Sequence, residues 1–192
     1  TTGVATTLLD LARNPATGAL WVAGTESRNR TRFEPNLRGA ALENRVVIAA
    51  PGGGVLQTPV LAPPFTSREH AQPALLEFLQ GSAAVAAGAR AQSGVGTLAF
   101  VGCLGSASVL ALDATSTALL AEIDTGEIPG GLAANAARGV LWVYSRGEHS
   151  LRAYDVAHGF HALGPPRPLA YDPEPLSVSK GRTHLYDARA ET

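Results

Sequence analysis

Residues 11–22 read Leu11-Ala12-Arg13-Asn14-Pro15-Ala16-Thr17-Gly18-Ala19-Leu20-Trp21-Val22, and residues 132–143 read Leu132-Ala133-Ala134-Asn135-Ala136-Ala137-Arg138-Gly139-Val140-Leu141-Trp142-Val143. Both follow L-A-x-N-x-x-x-G-x-L-W-V, with seven fixed positions in twelve. Agreement that dense marks an internal repeat, which has to be recognised before any local structure is assigned. From Trp21 to Trp142 the chain runs for about three units of roughly 40 residues.

Intermediate copies keep the same count. Thr97-Leu98-Ala99-Phe100-Val101 puts Phe100 at the tryptophan station, one such unit before Trp142. An aspartate follows at the same distance in both units, Asp113 after Phe100 and Asp155 after Trp142. A weaker copy, Gly181-Arg182-Thr183-His184-Leu185-Tyr186, places Tyr186 one unit beyond Trp142. A period of about 42 built from short strands and turns is that of a propeller blade. Trp21, Phe100, Trp142 and Tyr186 are expected to pack between blades. Asp113 and Asp155 are expected to bond their own turn backbone.

In the third unit, a strand beginning at Leu132-Ala133 leads into a turn over Asn135–Gly139. Strands over Val140–Tyr144 and Leu151–Val156 follow, separated by a polar turn. Trp21 and Phe100 stand about two periods apart. That is two blades, or one blade enlarged by an insertion. Residues 27–45 are rich in Arg, Asn and Glu and lack strand alternation, which favours an insertion there. The Ala-rich segment 68–91 reads as irregular, with a short helix around Ala74–Leu79. The expected fold is therefore all-β: one incomplete β-propeller domain over residues 1–192. It has three to four blades, each a four-stranded antiparallel sheet, the first carrying the insertion.

Composition agrees and excludes several classes. The chain has 192 residues, 45% hydrophobic and 16% charged, with 21 Gly and 13 Pro, which suits many turns. Fifteen Lys and Arg against 16 Asp and Glu give a net charge of −1 and no basic footprint for nucleic acid. No apolar run approaches the roughly 20 residues of a membrane helix. The chain has no Met, which reads as a processed or excised piece. One cysteine, Cys103, excludes an internal disulfide, a cysteine-rich zinc site and a haem-attachment pair.

The repeat with its Leu-Trp-Val strand resembles the YVTN-type β-propeller proteins of bacterial surfaces and periplasms. A narrower resemblance lies in Ala23–Asn29, the run Arg32-Phe33-Glu34-Pro35-Asn36-Leu37-Arg38-Gly39, and Glu43-Asn44-Arg45-Val46. Ile128–Leu132 and Asp172-Pro173-Glu174-Pro175, with Gly181-Arg182 and Leu185–Ala188, extend it. These segments look like those of propellers fused to di-haem cytochrome c peroxidase or MauG-like domains. In that family the last stretch leads into a Cys-x-x-Cys-His haem motif, which this chain lacks. The resemblance implies an exported, periplasmic or cell-surface location. It also implies haem c in a domain following Thr192 and no cofactor in the chain itself.

The search for chemistry finds little. There is no Gly-x-Ser-x-Gly elbow and no phosphate loop, and Gly52-Gly53-Gly54 reads as a turn. His158 and His161 have a spacing that suits a metal, but without a helix or acidic partner they read as solvated loop residues. Glu148-His149 falls in a tight turn, expected to be exposed. The insertion holds the candidate binding residues: Arg28, Arg32, Phe33, Glu34, Asn36, Arg38, Asn44 and Arg45. Arginine forks suit carboxylates or haem propionates. The same charges also suit a self-contained loop that clamps its blade.

Three functions remain. The first is a non-catalytic scaffold docking a c-type cytochrome domain. The second is a propeller hydrolase of the lactonase kind, and the third a surface ligand-binding or adhesion propeller with no redox role. An open propeller exposes apolar blade faces. Missing blades, a partner or a homo-oligomer are expected to cover them.

Overall fold

A computed structural model of the chain describes residues 5–27, 42–52, 54–57, 73–80, 96–172 and 174–186. Blade 1 is a meander of β1 (Thr7–Arg13), β2 (Leu20–Ser27), β3 (Leu42–Ala49) and β4 (Val55–Gln57). Blade 2 repeats it with β5 (Pro73–Gln80), β6 (Thr97–Cys103), β7 (Ser108–Asp113) and β8 (Leu119–Asp124). Blade 3 has β9 (Pro129–Asn135), β10 (Val140–Ser145) and β11 (Ser150–Asp155). Its fourth strand is split into β12 (His161–Ala162) and β13 (Arg167–Pro168), both paired with β11. Pro165 and Pro166 fall in the gap, where the missing N–H groups cannot continue a ladder. A helix, α1 (Leu176–Tyr186), follows. No helix among the described residues is long and apolar enough to cross a membrane.

One turn recurs through the sheets. Asn14, Asp113 and Asp155 each accept backbone N–H bonds from residues two and three ahead, such as Thr115 N to Asp113 Oδ1 at 2.7 Å and Ala157 N to Asp155 Oδ1 at 2.9 Å. Asn135 accepts from Arg138 N at 3.1 Å. The residue four ahead then takes a positive φ: Gly18 at 75°, Thr117 at 63°, Gly139 at 62° and Gly159 at 113°. An Asx side chain opening the turn and a left-handed residue closing it explain the Asn and Gly of the repeated motif.

A second constant is a bulge near the start of each first strand. It lies between Leu8 and Asp10, between Pro73 and Leu75, and opposite Tyr144/Ser145 in blade 3. Because the three blades share this irregularity, their side chains fall at matching stations on matching faces. Trp21, Phe100 and Trp142 each sit on the second strand and face away from the preceding blade. Trp21 is fully buried in a core with Leu76, Val101 and Leu110 of blade 2, and meets Phe78 edge to face at 5.4 Å. Phe100 is fully buried in a core with Leu141, Val143 and Tyr154 of blade 3, against which Leu132 also packs. Trp142 has no following blade among the described residues and is 36% exposed.

The residues opposite these aromatics also correspond. In blade 2 the first, second and third strands supply Leu76, Val101 and Leu110 in one cross-strand row. Blade 3 supplies Leu132, Val143 and Arg152, and blade 1 supplies Leu11, Val22 and Val47. Each blade thus presents an aromatic knob on one face and a mainly aliphatic row on the other.

Four expectations need correction. Residues 74–79 are not helical but lie in β5, where Pro73–Gln80 pairs with β6. Residues 42–45 are not part of an insertion, because β3 pairs with β2 from Ser27↔Leu42 onward. Tyr186 ends a helix rather than occupying a blade strand. Trp142 packs against no later blade of the described chain. The doubled spacing of Trp21 and Phe100 does separate consecutive blades. The extra length falls at residues 28–41, 58–72 and 81–95, outside the described residues.

The turn makes a sharp prediction. Gly18→Ala adds only a left-handed alanine, since the nearest contact is the flexible Arg13 side chain at 3.2 Å, and costs about 1–2 kcal/mol. In Gly139→Ala the new Cβ would stand 2.6 Å from the Ala157 Cβ, adding about 1–3 kcal/mol of overpacking. Urea denaturation should rank Gly139→Ala clearly below Gly18→Ala. Equal midpoints would contradict the turn geometry.

Candidate functional site

The first strands β1, β5 and β9 neighbour one another across the blade junctions and form the inner edge of the array. Two carboxylates stand there that the sequence reading did not single out. Asp10 accepts from Leu11 N through Oδ1 at 2.8 Å and from Leu76 N of blade 2 through Oδ2 at 2.7 Å. Glu77 accepts from Phe78 N at 3.0 Å. Burial pushes the Glu77 carboxyl up, with the nearby Asp10 charge adding to the rise and the Phe78 N–H opposing it. Both carboxylates are held by main-chain amides, and Asp10 ties two blades together.

The sequence candidates divide sharply. Arg28, Arg32, Phe33, Glu34, Asn36 and Arg38 lie outside the described residues. Asn44 and Arg45 belong to β3, opposite Thr25 and Gly24 of β2. Arg45 bonds Glu43 Oε1 at 3.0 Å and approaches Glu26 Oε2 at 4.0 Å, with its side chain only 14% exposed. Glu26 and Glu43 are direct cross-strand neighbours, so Arg45 neutralises a like-charged pair. That is the clamp arrangement, at the base of the segment 28–41.

A cavity of about 390 Å³ lies on the outer face of blade 3. Asn135, Trp142, Leu151, Leu163, Arg138 and Arg167 are among its lining residues. Two guanidinium groups beside an indole make it cationic and aromatic. Beside it, His149 is half-buried rather than exposed. Its Nε2 lies 2.8 Å from the Tyr171 carbonyl, which can only accept, so Nε2 carries the proton. Nδ1 then accepts from the Tyr144 hydroxyl at 3.3 Å. This contact and the Leu169 N to His149 O bond fix the segment leading to α1 against blade 3. Glu174 and Arg182 pair across the start of that helix.

His158 donates Nδ1–H to Asp155 at 3.0 Å, within the blade 3 turn. At Asp155, burial acts upward, but the His158 ring and the two turn N–H groups outweigh it and hold the carboxyl low. No cluster of three or more metal-ligating side chains occurs among the described residues. Cys103 is buried in the core between blades 1 and 2, where desolvation foremost, then the Glu122 charge, pushes its thiol up to about 12.

No protein-family model matches the chain, and no curated protein matches it. Solved structures do. Hydrazine synthase from Kuenenia stuttgartiensis is similar at 14% identity and a TM-score of 0.57, over 78% of this chain and 45% of that one. Dihydro-heme d1 dehydrogenase NirN is similar at 12% identity and a TM-score of 0.45, over 82% and 37%. Streptogramin B lyase is similar at 12% identity and a TM-score of 0.44, over 88% and 57%. The chain spans less than half the length of the hydrazine synthase chain. At these identities the likeness concerns the fold, which is that of a β-propeller.

Glu77 and Cys103 each carry a test. Glu77→Gln keeps an acceptor for Phe78 N and removes a charge whose folded-state pKa is raised. Protonation of such a carboxyl favours the folded state, so the variant should melt higher than wild type at pH 7. The gain should shrink as pH falls through the raised pKa and vanish below the ordinary value of 4.5. A gain that persists unchanged at pH 3 would contradict the assignment. Cys103, buried with its thiol protonated, should resist a thiol reagent at pH 8 in the native protein and react fully in denaturant. Rapid native labelling would refute that burial.

Proposed function

We propose that the chain is the propeller module of a larger exported protein, acting as a non-catalytic scaffold that docks a c-type cytochrome domain. The observation that carries the non-catalytic part is the state of the inner-edge carboxylates. Asp10 uses both oxygens on main-chain amides and Glu77 is engaged with Phe78 N. Asp10, with both oxygens engaged, does not resemble a general base waiting for substrate. A hydrolase reading needs polar groups converging freely on the channel, and Asp10 is built into the frame.

The docking part rests on the Arg-Phe-Glu-Pro-Asn-Leu-Arg-Gly resemblance at residues 32–39. Support also comes from the fixing of residues 167–171 to blade 3, which would start the path toward a domain joined after Thr192 at the propeller itself. The contact would use residues 28–45, whose arginines other than the paired Arg45 suit haem propionates. Haem c would reside in the docked domain, and the location would be periplasmic or cell-surface.

The native protein should have an intact mass above 19.7 kDa and show a Soret band on the same sample. A haem-free species with the mass of this chain alone would end the cytochrome reading. Given such a domain, Arg32→Ala with Arg38→Ala should weaken its binding to the propeller at least about tenfold, the equivalent of about 1.4 kcal/mol. Unchanged affinity by calorimetry would remove residues 28–45 from the contact.

A further inference from the structure

The turn that joins β11 to β12 holds a pair of histidines that the turn itself does not require. Asp155 opens it, accepting Ala157 N and His158 N through Oδ1 at 2.9 Å each. Blade 2 builds the same turn from Asp113, with Thr115 N and Ser116 N bonded to Oδ1 at 2.7 and 3.1 Å. Ser116 and Leu119 stand there where blade 3 has His158 and His161. Turn geometry therefore accounts for the aspartate and leaves both imidazoles unexplained.

The Asp155 carboxylate also fixes one of the rings. His158 Nδ1 lies 3.0 Å from Oδ2 and 3.2 Å from Oδ1. An ionised carboxylate only accepts, so Nδ1 carries the proton and Nε2 keeps its lone pair. The His158 side chain is 67% exposed, so an ion in solvent can reach that lone pair. His161 comes to the same place from β12. It pairs directly opposite Asp155, and directly opposed residues of an antiparallel pair project from one face of the sheet. A Cβ at Gly159 would stand 4.0 Å from His161 Nδ1, so this ring lies against the turn residue that follows His158.

We propose that His158 and His161 form a binding site for a divalent transition-metal ion of the zinc, copper or nickel kind, with Asp155 behind it as a positioning residue. Imidazole nitrogen is a donor that suits these ions. A carboxylate on the far nitrogen of a ligating histidine fixes its tautomer and orientation. The exposed His161 ring is free to turn toward the same ion, at a zinc–nitrogen length of about 2.0–2.1 Å. With two ligating side chains rather than three, water completes the coordination shell. The site is independent of cytochrome docking.

The experiment is a calorimetric titration of the chain with zinc chloride at mildly alkaline pH, with His158→Ala, His161→Ala, Asp155→Asn and His184→Ala variants. The wild type should bind one zinc ion per chain in the micromolar range. Either change at His158 or His161 should abolish that one-to-one site, whereas His184→Ala, on α1, should leave it intact. Asp155→Asn should keep the turn, because Asn14 opens the equivalent turn in blade 1. Its amide Nδ2 would donate to His158 Nδ1 and move the imidazole proton to Nε2, weakening zinc about 10- to 100-fold. Long-range nitrogen–proton NMR of the metal-free chain should show Nδ1–H at His158 in the wild type and Nε2–H in Asp155→Asn, a change that turn stability alone does not produce. Circular dichroism should be the same for every variant. A wild type that takes up no zinc at one to one overturns the proposal. So do a His158→Ala or His161→Ala variant that binds as the wild type does, a His184→Ala variant that loses the site, and an Asp155→Asn variant with unchanged affinity.

Discussion

The packing of one aromatic side chain per blade into the aliphatic row of the next governs everything else in the array. A four-stranded meander has two faces, and burying one leaves the other to be covered. Trp21 and Phe100 solve that problem twice in the same way, each fully buried. Removing such a ring from a core typically costs about 3–5 kcal/mol, against a total stability of about 5–15 kcal/mol for a domain. Each blade therefore depends on its neighbour for a large part of its stability. The shared bulge in the first strand is what makes the arrangement repeatable. It holds β1, β5 and β9 in one register, and a slip of one residue would turn every knob to the wrong face.

The polar ties follow the same logic, because a junction that buries main-chain groups must also satisfy them. Asn14 reaches the Ala114 carbonyl, Asp10 accepts Leu76 N, and the Tyr154 hydroxyl donates to the Asp124 carbonyl at 2.9 Å. Each bond contributes about 1 kcal/mol net, less than the aromatic it accompanies. Their main effect is geometric, fixing the height and angle at which one blade meets the next. Leu79 in place of an asparagine shows that the second junction holds its angle without that tie. Asp10, with both oxygens on main-chain amides, belongs to this frame.

The repeat was legible because the features it rests on are local. Asn and Gly mark the turn, and Trp or Phe marks the buried station, at a spacing that strand geometry imposes. The misreadings have equally physical causes. Ala74-Leu75-Leu76-Glu77-Phe78-Leu79 is composed largely of good helix formers, and only pairing with β6 makes it a strand. Gly181–Tyr186 has the outline of a blade strand, but Pro175 begins a helix there: its carbonyl accepts from Val178 N and Ser179 N at 2.9 and 3.1 Å. Glu43–Arg45 looked like loop because its charges mask the alternation, although Arg45 and Glu43 form an ion pair on one face of β3. The Asp10–Leu76 tie joins residues distant in the chain and has no local signature.

The environments of the two copies of the L-A-x-N-x-x-x-G-x-L-W-V motif carry the argument furthest. The same turn and register give a fully buried Trp21 and Asn14 at one end of the chain and an exposed Trp142 and Asn135 at the other. Local propensity cannot account for both, since it is nearly the same in each. The difference lies in whether a blade follows among the described residues.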